Sequence, residues 1–397
     1  MKKILILSSP DPNISPRPNR MIHWLKSNYN LTVVGGAKIE LAGVRSFHLP
    51  RSTPPKKDNF IDVLIKYFKR YTFFLKYLFF LLTKQYENIL WAKYYLAKQI
   101  GEELSQEDFD LIISHDIVLL PLAFAIKENK TTKILLDARE YYPKNFEDSL
   151  LWRLHTQPIN KYLCEKYLHR CNKIITVSDG LAKEYAKEYN INPKILMSLP
   201  YYADLEPTQN ETTSIRMIYH GNINPSRKTE LMIEMMGFVD ERFTLDLMLV
   251  NSNSDAYWRK IKKMADKKKN VRLIPPVQLQ KIVPFTNSYD IGVFLVPPSN
   301  FNLKFTLPNK FFEFIQARLA VAIGPSIEMS KLVKKYDCGI ISEDFTPHSL
   351  AQKLNKLTPE KIIYYKNQSH KAAQVLNADT NKIYVNKIIA SLLRDEE

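Results

Sequence analysis

Short runs of almost wholly apolar residues, separated by longer stretches of helical character, recur along most of this chain and constrain its fold more than any other feature. In the first two hundred residues they are KILIL (3–7), LTVVGG (31–36), DLIIS (110–114), KILLDA (133–138) and KIITVS (173–178). Strands that are apolar on both faces belong to a parallel sheet covered by helices on each side. Helical stretches fall between them at 19–27, 119–127 and 150–171. The polar segment 201–214 breaks the pattern, and it then restarts with IRMIYHG (215–221), TLDLMLV (244–250), VRLIPPV (271–277), DIGVFLV (290–296), LAVAIG (319–324) and CGIIS (338–342). A last helical region runs from about 349 to the C-terminus. The expected fold class is α/β, with two doubly wound domains. We place them at 1–203 and 215–375, joined by a linker at 204–214, with a terminal helix at 376–397 that can pack back on the first domain. Ligands of such sheets sit at the carboxyl ends of the strands, here in a cleft between the two halves.

Composition narrows the function classes. The 397 residues are 45% hydrophobic and 25% charged, which is globular composition and excludes a mainly disordered chain. Ten glycines and no short period exclude collagen and solenoid arrays. Cys164, Cys171 and Cys338 form no CxxC, so a thiolate metal site and a disulfide framework both lack support, and a reducing compartment fits better. The apolar run Ile4–Leu7 is shorter than a secretion signal needs. The most hydrophobic window, Tyr71–Leu82, carries Lys76 in its middle and is too short to span a bilayer. A formal net charge of +16 calls for a polyanionic partner.

The chain has no GxGxxG, GxxxxGK[ST], GxSxG or HExxH, so dehydrogenase, P-loop kinase, α/β-hydrolase and zincin readings lose their usual support. One Asp-x-Asp, Asp108 and Asp110, precedes a strand and reads as a turn cap rather than a metal site; no metal ligand set is expected. Two other constellations are richer. In LPNKFFEFIQARLAVAIG (307–324), Pro308 and Asn309 read as a loop opening a helix, with Asn309 as the cap and first-turn N–H groups free to meet an anion. Glu313, one turn in, could accept two ribose hydroxyls or simply complement the helix dipole. In YHGNINPSRK (219–228), a strand gives way to a turn and a helix start with two cations, Arg227 and Lys228, a place where a diphosphate can be cradled or a basic turn simply solvated.

Together these segments, with SHD (114–116), LDAREYYP (136–143), IITVS (174–178) and LP (199–200), resemble the two-Rossmann-domain (GT-B) glycosyltransferases, most of all the retaining family 4 enzymes. The resemblance runs through nearly the whole chain, and PNKFFEF is its most specific element. It implies a cleft between two Rossmann-like domains and a nucleotide-sugar donor held by Gly221, Asn222, Arg227, Lys228, Pro308, Asn309, Lys310 and Glu313. Glu313 matches the second carboxylate of the family's E-x7-E motif, on the nucleotide ribose, and Arg227 the basic phosphate contact. His115 falls where the family places a histidine near the transferring sugar, and Asp116, Asp137 and Glu140 face the acceptor side. Two departures stand out. Phe305 occupies the place of the first E-x7-E carboxylate, and Asn222 that of the basic residue after the glycine, with Lys310 as the replacement charge.

The implied activity is transfer of a sugar, with retention and without a metal or other cofactor, to a saccharide or lipid-linked saccharide of a surface polysaccharide such as capsule or lipopolysaccharide. Arg227, Lys310 and His115 are its catalytic groups. A nucleotide-sugar 2-epimerase of the same architecture, drawing on Asp116 and His220, and a non-catalytic sugar-binding partner in polysaccharide assembly are the rivals. Residues 56–98 hold nine Lys or Arg against three acids, interleaved with aromatics. Such a segment suits an anionic membrane interface, with a pair of amphipathic helices packed on the sheet as the plainer reading. The expected location is therefore cytoplasmic, peripheral on the inner face of the plasma membrane. No nucleic-acid module is present, and no nucleic-acid partner is expected.

Overall fold

The structure is a computed structural model that describes residues 1–50, 74–128, 130–208, 214–250 and 255–394. The chain divides into two units, one comprising Met1–Thr176, Ala182–Ile195 and Val385–Glu397, the other Val177–Leu181 and Leu196–Tyr384.

The first unit is built on a seven-stranded sheet: β1 (Lys3–Ser8), β2 (Asn30–Gly35), β3 (Val44–His48), β4 (Leu111–Ser114), β5 (Lys133–Ala138), β6 (Lys173–Thr176) and β7 (Lys194–Ile195), in the order β3-β2-β1-β4-β5-β6-β7. Every pairing is parallel. Five of these strands are the apolar runs read from sequence. The interior residues of β1, β4 and β5 are fully buried, because helices cover both faces. Strand order reverses between β1 and β4, which opens a crevice at their carboxyl ends. The helical stretch expected at 150–171 is broken: Leu150–His155 ends at Thr156, and Pro158 opens a second helix, Gln157–Tyr167. A first-turn proline suits that break, since its missing N–H would have no helical partner anyway. Of the basic aromatic segment, 56–73 lies outside the described residues, while 74–82 and Tyr86–Lys93 are helical.

The second unit carries six parallel strands: β8 (Ile215–Asn222), β9 (Phe243–Val250), β10 (Val271–Ile274), β11 (Ile291–Phe294), β12 (Ala320–Ile323) and β13 (Gly339–Ile341), in the order β10-β9-β8-β11-β12-β13. Here the reversal falls between β8 and β11. The tail expected to be helical from 349 resolves into three helices, Pro347–Asn355, Pro359–Ala373 and Ala378–Leu393. A fully buried arginine, Arg318, holds the segment that leads into this unit. Its Nε donates to the Leu205 carbonyl at 3.0 Å, Nη2 to that of Ala203 at 2.6 Å and Nη1 to that of Gln316 at 2.6 Å. Arg318 itself has a left-handed φ of +62°, a conformation held against its steric cost by these bonds.

Candidate functional site

In the second unit, the candidate side chains gather at the carboxyl end of β8, beside the crevice where strand order reverses. Gly221 has φ +126°, a backbone state that residues with a Cβ rarely adopt. A Cβ placed there would lie 2.7 Å from Lys310 Nζ and 3.7 Å from Arg227 Nη1, so glycine lets two cations close on the strand end. Beyond it, Asn224 caps the turn Pro225–Arg227 by accepting from the Ser226 N–H at 2.9 Å, and Arg227 Nη1 donates to the Asn222 carbonyl at 3.3 Å. Lys228 is exposed, in the left-handed region, and closes the turn through its N–H to Pro225.

The other wall is the helix Asn309–Gln316. Asn309 is its first residue rather than its cap; Pro308 holds the N-cap position and has no side-chain acceptor to offer. Phe311, Phe312, Phe314 and Ile315 anchor the helix in the core, and Lys310 is dragged inward with them to 6% exposure. Its Nζ lies 3.9 Å from the centre of the Tyr219 ring and 5.7 Å from that of Phe294, and it has no hydrogen-bond partner among the described residues. Burial, and then the Arg227 charge, hold the Lys310 ammonium well below its ordinary pKa, with Glu313 opposing.

One turn further, Glu313 Oε2 stands 3.6 Å from His220 Nε2, and that nitrogen also has no hydrogen-bond partner among the described residues. Burial, and then Lys310, push the His220 imidazole down to about 3. A neutral buried histidine makes the fold acid-sensitive. Between pH 6.5 and about 3 the unfolded chain binds a proton that the folded one refuses, so stability rises with pH across that window. The expected result is a thermal midpoint that falls steadily as pH is lowered from 7 to 4. A His220→Asn variant should show a shallower slope, and parallel profiles would count against the assignment.

Phe305, expected from the resemblance to replace a carboxylate, is an anchor. Its ring lies where a side chain on Gly180 would be, and its carbonyl accepts from Ser178 Oγ at 2.9 Å.

The first unit gathers a second group at the ends of β1, β4 and β5. His115 is fully buried, and its Nδ1 lies 2.9 Å from Asp137 Oδ2. Arg17 Nε donates to the same oxygen at 2.5 Å. Burial alone would raise the Asp137 carboxyl, but Arg17 and His115 overcome it and hold the group ionised far below the carboxylate range. Burial lowers the His115 imidazole despite the opposing carboxylate, so the ring is neutral with its proton on Nδ1, facing Asp137. Its Nε2 therefore carries a lone pair, and this nitrogen has no partner among the described residues. Asp116 is committed elsewhere: its carboxylate accepts from Ser9 Oγ at 2.6 Å and caps the turn Ile117–Leu119. The Glu140 carbonyl accepts from Tyr185 Oη at 2.8 Å. Arg17 escaped sequence reasoning because its partner is 120 positions away; a cation between two prolines just past the first strand was the available signal. Asp108 and Asp110, the other acidic pair, meet Lys130 and Lys2 at the start of β4.

No family model and no curated protein matches the chain in sequence. Solved structures match its fold. HepE from Anabaena, in complex with UDP and glucose, superposes with a TM-score of 0.69 at 12% identity, over 98% of this chain and 100% of that one. An α,α-trehalose-phosphate synthase (UDP-forming) from Burkholderia vietnamiensis gives 0.66 at 11% identity, over 98% and 99%. Sucrose-phosphate synthase from Thermosynechococcus elongatus gives 0.67 at 12%, over 99% of each chain. The fold is thus the two-domain α/β architecture of GT-B glycosyltransferases.

Proposed function

We propose that the chain is a glycosyltransferase that takes a sugar from a nucleotide-diphosphate donor and passes it, with retention, to a saccharide or lipid-linked saccharide acceptor of a surface polysaccharide. The observation that carries this reading is the cradle at the end of β8, where the buried Lys310 ammonium and the Arg227 guanidinium converge on a glycine. Complexes of HepE with UDP and with UDP-glucose support a uridine nucleotide as the first donor to try.

When the bond from sugar to phosphate breaks, negative charge builds on the departing diphosphate. Cations held in place before that moment stabilise it without reorganising. Arg227 offers a planar fork to two phosphate oxygens and Lys310 a point charge from below. Glu313 accepts the ribose hydroxyls, beside His220. With Asp137 fixing its tautomer, His115 presents Nε2 to a hydroxyl of the transferring sugar or the acceptor. The departing phosphate serves as base, so front-face attack needs no further protein base. Protein cations fill the electrostatic role, and turnover is expected to be unchanged by EDTA.

Arg227→Ala is expected to lower turnover by about a hundredfold or more with the thermal midpoint unchanged. The assay measures UDP release from UDP-sugars with and without added acceptor. Acceptor-dependent release supports transfer, isomerised free donor would favour the epimerase, and near-normal turnover of the variant would remove Arg227 from the mechanism.

The same reading places the enzyme on the cytoplasmic face of an anionic membrane. No helix among the described residues is long and apolar enough to cross one. Phe79 and Leu82 on the helical stretch 74–82, and Leu150, Leu151 and Leu154 on Leu150–His155, are all more than half exposed. The two stretches meet where Tyr77 Oη donates to the His155 carbonyl at 3.3 Å. Exposed apolar side chains on two joined stretches of a chain of net charge +16 suit an anionic lipid surface. Co-sedimentation with phosphatidylglycerol vesicles at low salt should be strong, and should be lost in a variant with Leu150, Leu151 and Leu154 changed to Ser. Equal sedimentation of the two proteins would dismiss this face.

A further inference from the structure

The first unit holds a cavity of about 590 Å³ that none of the groups above lines, between the helices Tyr86–Lys93, Leu120–Lys127 and Gln157–Tyr167. Lys127, Lys166 and Tyr167 from the last turns of two of these helices line it, together with Pro121 from the first turn of Leu120–Lys127. A second hollow of about 450 Å³ shares Trp91, Ala125 and Glu128 with it, so the two form one groove with the indole at the junction. Both volumes are in the range of small-ligand sites.

The floor is aromatic. Phe124 and Tyr167 stack at 5.0 Å between centroids and 24° between planes. The Arg170 guanidinium lies 4.2 Å from the Phe124 centroid. On one side the charges are already matched: Glu87 Oε1 takes bonds from Lys166 at 2.7 Å, Tyr162 at 3.1 Å and Tyr167 at 2.5 Å. Lys130 is likewise engaged, with the Ser105 carbonyl at 2.7 Å and the Asp108 carboxylate at 3.2 Å. Lys127 and Arg170 differ. Neither has a carboxylate partner among the described residues, although the exposed Glu128 also lines the groove. Burial, then the positive charges of Lys133 and Arg170, press the Lys127 ammonium below its ordinary pKa, whereas a merely solvated lysine would feel no such crowding.

We infer that this groove binds an acidic oligosaccharide, with a sugar ring laid on Trp91 and its carboxylate taken by Lys127 and Arg170. An indole face packs against the C–H face of a pyranose, while a guanidinium and an ammonium side by side select a carboxylate over a hydroxyl. The site would hold a growing anionic chain through residues other than those proposed for transfer, and in naming the acceptor class it rests on the glycosyltransferase reading.

The test is calorimetric titration of the full chain with two probes of equal length, a hyaluronan hexasaccharide bearing alternating uronic acids and neutral maltohexaose. The hyaluronan probe is expected to bind about tenfold or more tightly than maltohexaose. A Lys127→Gln, Arg170→Gln double variant should lose that preference, and Trp91→Ala should weaken binding of the acidic probe, both with wild-type affinity for UDP. Unchanged UDP affinity certifies that the variants fold. Equal affinity for the two hexasaccharides, no saturable binding of the acidic one, wild-type binding by the double variant, or displacement by equimolar inorganic phosphate would each overturn the inference. Failure of the chain to bind UDP would instead strike the donor site, and leaves the hexasaccharide result to be read by itself.

Discussion

A Lys310→Met variant is expected to lose at least a hundredfold in turnover with UDP-sugars and most of its affinity for UDP, while folding as well as or better than the parent. Methionine fills the same buried channel beneath Gly221, against Tyr219 and Phe294, without a charge to bury. The wild-type protein should also take up a proton when UDP binds. Its Lys310 is held below the ordinary amine pKa by burial and by Arg227, and an arriving diphosphate reverses the effect of that like charge. Uptake is greatest between the pKa of the free protein and that of the complex. It is measured as the dependence of binding enthalpy on the ionisation heat of the buffer, and it should vanish in Lys310→Met. A wild type with no proton uptake, or a variant with normal turnover, would detach Lys310 from the diphosphate.

The second large effect concerns the first unit. Asp137→Ala is expected to cost about 3–5 kcal/mol of folding stability, because it leaves the Arg17 guanidinium buried without its carboxylate. Denaturant midpoints at constant slope report this directly, and a loss below about 1 kcal/mol would show the pair to be incidental. Asp137→Asn separates two roles. It keeps an oxygen for Arg17 but no longer requires the proton of His115 to sit on Nδ1, so its activity should fall by more than its stability does. The acid limb has a defined sign. Asp137 is depressed in the folded state, so its contribution is present above the pKa of an unfolded aspartate and fades as pH falls through that range.

Eleven of the thirteen strands among the described residues were legible as apolar runs, because strands covered on both faces have nowhere to place a polar side chain. The two that were missed explain themselves. β3 (VRSFH) is half exposed at the sheet edge and β7 is two residues long, so neither needs an apolar run. The residues that converge at the end of β8 could be named from sequence as types: a glycine ending a strand, Arg227 after a turn and a lysine opening a helix. What could not be read was depth. Lys310 looks like a loop cation until the phenylalanines around it are seen to pull the helix into the core. Asn309 looked like a cap because asparagine usually is one, yet Pro308 already fixes the extended backbone that this position needs. On the other unit, Asp137 could be named, while Arg17 required the chain to close on itself before its purpose showed.

Arg318 bears on where this protein can be cut. Its guanidinium is satisfied largely by carbonyls of Ala203 and Leu205, residues that look like dispensable tether. A fragment begun at the first strand of the C-terminal sheet would strand a charge in its interior. Dissection of the halves should therefore leave the stretch from Leu196 onward attached to the second of them, where it serves as a fitted strap rather than a spacer.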